Sequence, residues 1–338
     1  MQTANGQIAN LPYIKYLKGE FKKMRRVRKT VAALCAVAVL VMCGLTVVAL
    51  AESKGYYKSG ELKFEYNYVD GIRQGVSKEY YKNGKLRLKE NYQKGKLEGI
   101  CKEYYQNGEL KSKSEYVSGK KQGIFKDYYK NGKLQSERSC QNGKLEGISK
   151  EYHESGELKS KSEYVKGKKE GTFKDYYKSG KIRTERLFKN GRLEGMSKRY
   201  HESGELYWES NYVGNKQEGA FNIYYKNGKL WEAHFYEDGK REGTNKEYYK
   251  TGELSFEYNY AKDKREGITK GYYKNGKLRL AIPYKDGKRT GTTKGYYKNG
   301  KLKFEHNHVD GKREGISKEY YPNGKLKSER FYTDGKLQ

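Results

Sequence analysis

One stretch of 24 residues recurs along this chain without insertion or deletion, and that regularity limits the fold more than any other feature. In its last copy, residues 315–336 read GISKEYYPNGKLKSERFYTDGK. Glycines at 24-residue intervals run from Gly60 through Gly84 and Gly108 to Gly324. A strict period between about 20 and 50 residues marks a repeat array, in which each unit packs on its neighbours, rather than a globular enzyme. Composition points the same way. Hydrophobic and charged residues each make up 34%, and 36 Tyr stand against 10 Phe and 2 Trp. That is too little aliphatic material for one large core and too much aromatic material for a disordered chain.

Each unit contains two short alternating segments separated by turn signals about 12 residues apart, the pattern of consecutive β-hairpins. The first turn reads x-Asn-Gly, as in Lys82-Asn83-Gly84, with Ser or Thr at the middle position in Ser59, Ser155, Ser179, Ser203 and Thr251. Thr resists the positive φ of a type I′ turn, so the expected form is a three-residue loop, a type I turn closed by an αL glycine bulge. The second turn, as in Val309-Asp310-Gly311, is expected to have the same form. Asn215 and Asp263 there replace the αL glycine, and these residue types tolerate that conformation.

Loops of three residues would set Tyr320 opposite Leu326, Lys318 opposite Ser328 and Phe304 opposite Ile316, and would put all even-numbered residues on one face. That face would carry an aliphatic column (Val76, Ile100, Ile124, Ile148, Ile268, Ile316), with Tyr and Leu columns beside it. The fold class expected is therefore all-β: some eleven or twelve tandem hairpins in an elongated, twisted antiparallel meander, roughly 110 Å long at the usual strand spacing. One apolar helix would precede it.

The domain division follows. Residues 1–51 form an N-terminal extension and export signal, and residues 52–338 form the array. A basic stretch (Arg25, Arg26, Arg28, Lys29) leads into an apolar run from Val31 to Val48 and then Ala49-Leu50-Ala51. That is the plan of a secretory signal, with cleavage between Ala51 and Glu52. An uncleaved anchor through residues 30–51 is the alternative, since the run nearly spans a bilayer. Lipidation at Cys43 is a third. Translation could begin at Met1 or at Met24. In each case the repeats are expected outside the cytoplasm, secreted, periplasmic or at the cell surface.

The net charge is +30. Setting aside eight basic and one acidic residue in positions 1–51 leaves the repeats 64 basic and 41 acidic residues, which favours polyanionic partners. Export argues against nucleic acid. A Lys column at 24-residue spacing lies between the aromatic columns. The candidate binding strip is Lys126, Tyr128, Lys150, Lys174, Tyr176, Lys198 and Tyr200, with Trp208 and Trp231 as the sites of a specific contact. The alternative is that Lys stems merely shield the Tyr rings. His306 and His308 lack converging ligands for a metal, Cys101 and Cys140 fall on opposite faces by parity, and the acidic residues recur in every unit. Neither catalysis nor a cofactor is expected.

The run G-x-x-K-E-Y-Y-x-N-G-K-L-x-x-E-x-x-Y-x-x-G-K-x-E-G, seen from Gly75 to Gly99 and onward, resembles the MORN-type repeat in the bacterial variant found in YwqK-family antitoxin proteins. The resemblance covers residues 54–338, with Tyr and Lys where classical MORN units carry Trp and denser Gly. It implies tandem hairpins, no catalytic residues, and roles in toxin neutralisation, membrane-associated scaffolding or protein–protein contact. The readings left open are an exported protein that binds a protein partner or a cell-surface component, an antitoxin or immunity protein, and a peripheral binder of anionic lipid. Self-association through a sheet face or edge is a further expectation.

Overall fold

The computed structural model describes residues 49–338, which fold into 32 β-strands with no helix among the described residues. The expected N-terminal helix and most of the export segment lie outside the described residues. Strand β1 (Leu50–Tyr56) pairs Leu50 with Val69 and Ala51 with Tyr68, so it runs through the proposed Ala51/Glu52 cleavage site. The described residues divide into two compact units, 49–121 and 122–338, each built of the same hairpins.

The first turn of each repeat is as the sequence suggests. Gly84 N donates to Tyr81 O (2.9 Å) and Tyr81 N to Lys85 O (2.8 Å), and Gly84 has φ +77° while Lys82 and Asn83 stay out of the left-handed region. Ser59 and Thr251 fit the same place because no positive φ is asked of them. The second turn is different. Tyr332 pairs with Leu337 and Thr333 with Lys336, leaving two residues, Asp334 (φ +51°) and Gly335 (φ +82°), in the loop. Positive φ at both positions makes this the two-residue type I′ turn, whose twist matches that of the strands it joins. Asn215 and Asp263 do hold the αL position, with φ +78° and +69°.

The register corrects the expected parity. Tyr320 pairs with Leu326 as predicted, but Glu319 then pairs with Ser328 and Lys318 with Glu329. Lys327 is the extra residue, a bulge directly after the turn. From that point an even residue on one strand shares a face with an odd residue on the next. Ile316 consequently opposes Phe331, and the two-residue turn at Asp310-Gly311 changes parity in the same way, so that Phe304 opposes Glu319. Two further residues are inserted at each Glu-Gly pair, such as Glu98-Gly99, where the glycine has φ +74°. An insertion of two leaves the faces unchanged, so equivalent residues of successive repeats do share one face.

The two faces therefore differ from the expectation. The aliphatic column is exposed, from 38% at Val76 to 58% at Ile124. The covered face carries small polar residues, among them Ser77, Ser136, Ser197 and Asn245, each at most 2% exposed. Larger side chains fold over them. The Arg73 guanidinium lies 3.8 Å from the Tyr66 ring centre and donates to Tyr92 Oη at 3.0 Å, and Arg265 treats Tyr258 and Tyr284 in the same way. The Tyr hydroxyls and guanidinium planes thus form a second layer, using cation–π contact where a larger domain would use aliphatic packing. Cys101 and Cys140 each sit on this face of their own hairpins, correcting the parity argument, and neither is in a disulfide.

Candidate functional site

Most residues that recur in every repeat are engaged in joining one repeat to the next. The second Tyr of each pair donates its hydroxyl to a backbone carbonyl one repeat onward, as in Tyr81 to Tyr104 O and Tyr225 to Tyr248 O, both at 2.8 Å. The Lys after the turn glycine reaches the next turn, Lys133 Nζ donating to Ser155 O at 2.5 Å. The Glu of each Glu-Gly pair accepts from the next type I′ turn, Lys166 N to Glu146 Oε2 at 2.7 Å. Such groups hold the array together and are not available to a ligand. Recognition has to come from what varies between repeats.

On the open face of each unit, one residue from every long strand falls in a row across the strands of that unit. In the second unit the row largely alternates in sign. Lys126 binds Glu137 (2.9 Å), Lys174 binds Glu185 (2.8 Å), Lys294 binds Glu305 (3.1 Å) and Lys318 binds Glu329 (3.2 Å). Hydrogen bonding to these carboxylates raises the pKa of all four lysines. Lys198 pairs across the sheet with Glu185 and Glu209. The exceptions there are Lys150, which faces Lys161, which in turn faces Lys174, and the uncharged Asn222, Ala233 and Ala281.

The first unit breaks the alternation outright. Lys78 on β4 (Gly75–Tyr80) faces Lys89 on β5 (Leu86–Gln93). Lys89 faces Lys102 on β7 (Gly99–Tyr104), which faces Lys113 on β8 (Leu110–Val117). Four lysines stand side by side, and among the described residues only the first has a carboxylate within ion-pair distance, Glu65 at 3.6 Å. Like charges directly opposite one another destabilise a sheet, and two exposed ammonium groups about 5 Å apart repel by roughly 0.8 kcal/mol in water. Lys89 and Lys113 escaped the sequence reading because they are odd-numbered. Only the bulge after the turn brings them onto the face of Lys78 and Lys102.

Of the strip expected from sequence, the lysines at 126, 150, 174 and 198 do share the open face with Tyr128, Tyr176 and Tyr200. Tyr200 donates to Glu185 at 3.0 Å, and burial, together with that bond, raises its pKa. Trp208 and Trp231 are on the other face. Trp208 meets Phe221 edge-on (6.0 Å between ring centres), and Trp231 stacks on Tyr225 at 5.5 Å. They pack the covered face and do not join the lysines. That same face, where Ser149, Ser160 and Ser162 replace larger residues, has a hollow of about 420 Å³. Two of its charges are paired across it, Arg138 with Glu151 at 3.3 Å and Arg183 with Asp175 at 2.7 Å. Among the described residues no group of three or more metal-competent side chains converges.

The MORN repeat variant family matches eleven segments of the chain, starting at residues 51–70 and 73–94 and ending at 313–334. The chain belongs to that family. MORN repeat proteins are generally non-catalytic and bind proteins or membranes. The matched segments follow the 24-residue period except at 193–214, which is unmatched. That repeat carries Trp208, and its type I′ turn has Gly214-Asn215 in reversed order. No curated protein matches the sequence. Among solved structures, the crystal structures of TcdB2-TccC3-Cdc42 and TcdB2-TccC3 align with 85% of this MORN protein at 12% and 13% identity. The alignment spans 17% and 18% of those chains, with TM-scores of 0.18 and 0.17, a likeness too slight to argue from.

Proposed function

We propose that this MORN repeat protein is exported and acts without catalysis, its open sheet face docking a protein partner or a cell-surface component. The observation that carries this reading is the character of that face. An exposed aliphatic column, with Ile124 and Ile148 each at least 48% exposed, runs beside the lysine row of the second unit. An apolar stripe rimmed by charge is the usual make-up of an interaction surface. The basic-then-apolar stretch at residues 24–51 supports export. A photo-crosslinking residue tests the reading. At position 124 on the open face it should yield discrete cell-envelope adducts, and at Ser136 on the covered face it should not. Equal yield from both positions, or none from 124, would overturn the proposal.

A second reading, a peripheral binder of anionic lipid, is favoured by the same pairing of Ile and Lys on one face. Binding to anionic vesicles that disappears above about 0.5 M salt would support it, because screening is then strong. The resemblance to YwqK-type repeats supports a third, neutralisation of a toxin partner, for which co-purification of a toxin in a stable complex is the test.

A further inference from the structure

We infer that Lys78, Lys89, Lys102 and Lys113 form a binding site for a linear, phosphate-bearing polyanion that lies across the strands of the first unit. The inference deepens the open-face reading and rests on it, but uses a different part of the chain from the Ile124 test.

The row supplies its own comparison. The same structural position is occupied in every repeat, and Lys294, Glu305, Lys318 and Glu329 alternate in sign across four neighbouring strands. The equivalent four strands of the first unit carry lysine at every place, in an unbroken series of cross-strand neighbours. At the usual spacing between strands the four ammonium groups span about 14 Å in a line. No carboxylate among the described residues lies within ion-pair distance of Lys89, Lys102 or Lys113. Glu115, two residues along from Lys113, is the one acidic side chain on this face of the four strands. A strip of positive charge one residue wide suits a chain of anions laid along it, since each phosphate then offsets the repulsion between two lysines. Glu65 closes one end of the row, facing Lys78. Glu115, with Asn91 in the same flanking column, bounds the row along one side. The positive potential is confined to a line, which fits a polymer better than the broad plane of a bilayer. Lysine, with its compact charge on a flexible stem, accommodates a repeating phosphate without demanding a fixed fork geometry.

The test uses the full-length protein and fluorescently labelled linear inorganic polyphosphate, with orthophosphate and phosphatidylglycerol vesicles as comparison probes. Lys89→Glu combined with Lys113→Glu recreates the alternation of the last repeats, so the variant should fold. Polyphosphate affinity should fall at least about tenfold, and the variant should melt at a higher temperature than the parent, because three repulsive pairs become attractive. Glu305→Lys with Glu329→Lys builds a second run of four lysines, and it should gain polyphosphate binding while losing stability. Orthophosphate should bind far more weakly than the polymer. Unchanged polyphosphate binding in the Lys89/Lys113 variant would overturn the inference, as would no gain in the Glu305/Glu329 variant. Ladder-dependent binding to vesicles with none to polyphosphate would equally overturn it, in favour of a membrane surface. Loss of crosslinking at Ile124 with the polyphosphate results intact would sink only the broader docking proposal.

Discussion

At the scale of single residues, the histidines show what the recurring tyrosine contributes. His153 and His201 stand where other repeats carry the second Tyr, and the Nε2 of each is buried without a hydrogen-bond partner. Tyr177, in an intact copy, donates to Tyr200 O at 2.8 Å. Imidazole is too short to copy that bond. His153→Tyr should therefore stabilise the protein by about 1 kcal/mol, the net worth of one restored hydrogen bond. The urea midpoint should rise with an unchanged m-value. A third histidine, His306, gives a pH dependence. Burial and the adjacent Arg313 guanidinium push the pKa of His306 down to about 4, and burial lowers that of His308 too. Above the ordinary histidine value of 6.5 both folded and unfolded chains hold His306 neutral. Between there and about pH 4 the unfolded chain takes up a proton that the folded chain refuses, so stability falls as pH falls. Hydrogen exchange in β29 (Leu302–Val309) and β30 (Lys312–Tyr320) should quicken through that window. His306→Tyr, the residue found in the equivalent position at Tyr258, should make the dependence shallower.

At the scale of the hairpin, what could be read in advance depended on which residues advertise their conformation. The first turn was legible because Ser59 and Thr251 exclude a left-handed middle residue. The second was not. Lys94, Ser118, Lys166 and Lys262 occupy the first type I′ position at φ of about +50°, and residues of those kinds give no warning of it. The bulge after each first turn was also hidden, since Arg87 or Lys111 at that place looks like any other strand residue. Missing it inverted the faces on the returning strands. That is why the strip put Trp208 with the lysines and passed over Lys89 and Lys113. The Glu-Gly pair was visible as a motif but not as a clamp on the following turn. Removing that clamp with Glu146→Ala should free Lys166 N and cost about 1 kcal/mol, read as a lower denaturation midpoint. Glu146→Gln, which keeps an acceptor as Gln74 and Gln122 do in their repeats, should cost much less.

At the scale of the whole molecule, the staples fix how far a perturbation can spread. The Tyr hydroxyl, the Lys ammonium and the Glu carboxylate each reach 20 to 23 residues along the chain, which is one repeat and no more. A protein wired in this way resembles a row of nearest-neighbour couplings, whose stability is the sum of repeat and interface terms. Damage to one interface should stay local. Tyr225→Phe deletes a single hydroxyl that donates to Tyr248 O while keeping the ring that stacks on Trp231. The loss, about 1 kcal/mol, should appear as faster exchange in β19 (Lys216–Tyr224), β20 (Leu230–Glu237) and β22 (Gly243–Tyr248). Strands β4 and β5 should exchange at their original rate, because the Tyr225 hydroxyl reaches only the neighbouring repeat. Uniformly faster exchange along the chain would mean that the array unfolds as one cooperative body, and a nearest-neighbour description would then be the wrong one.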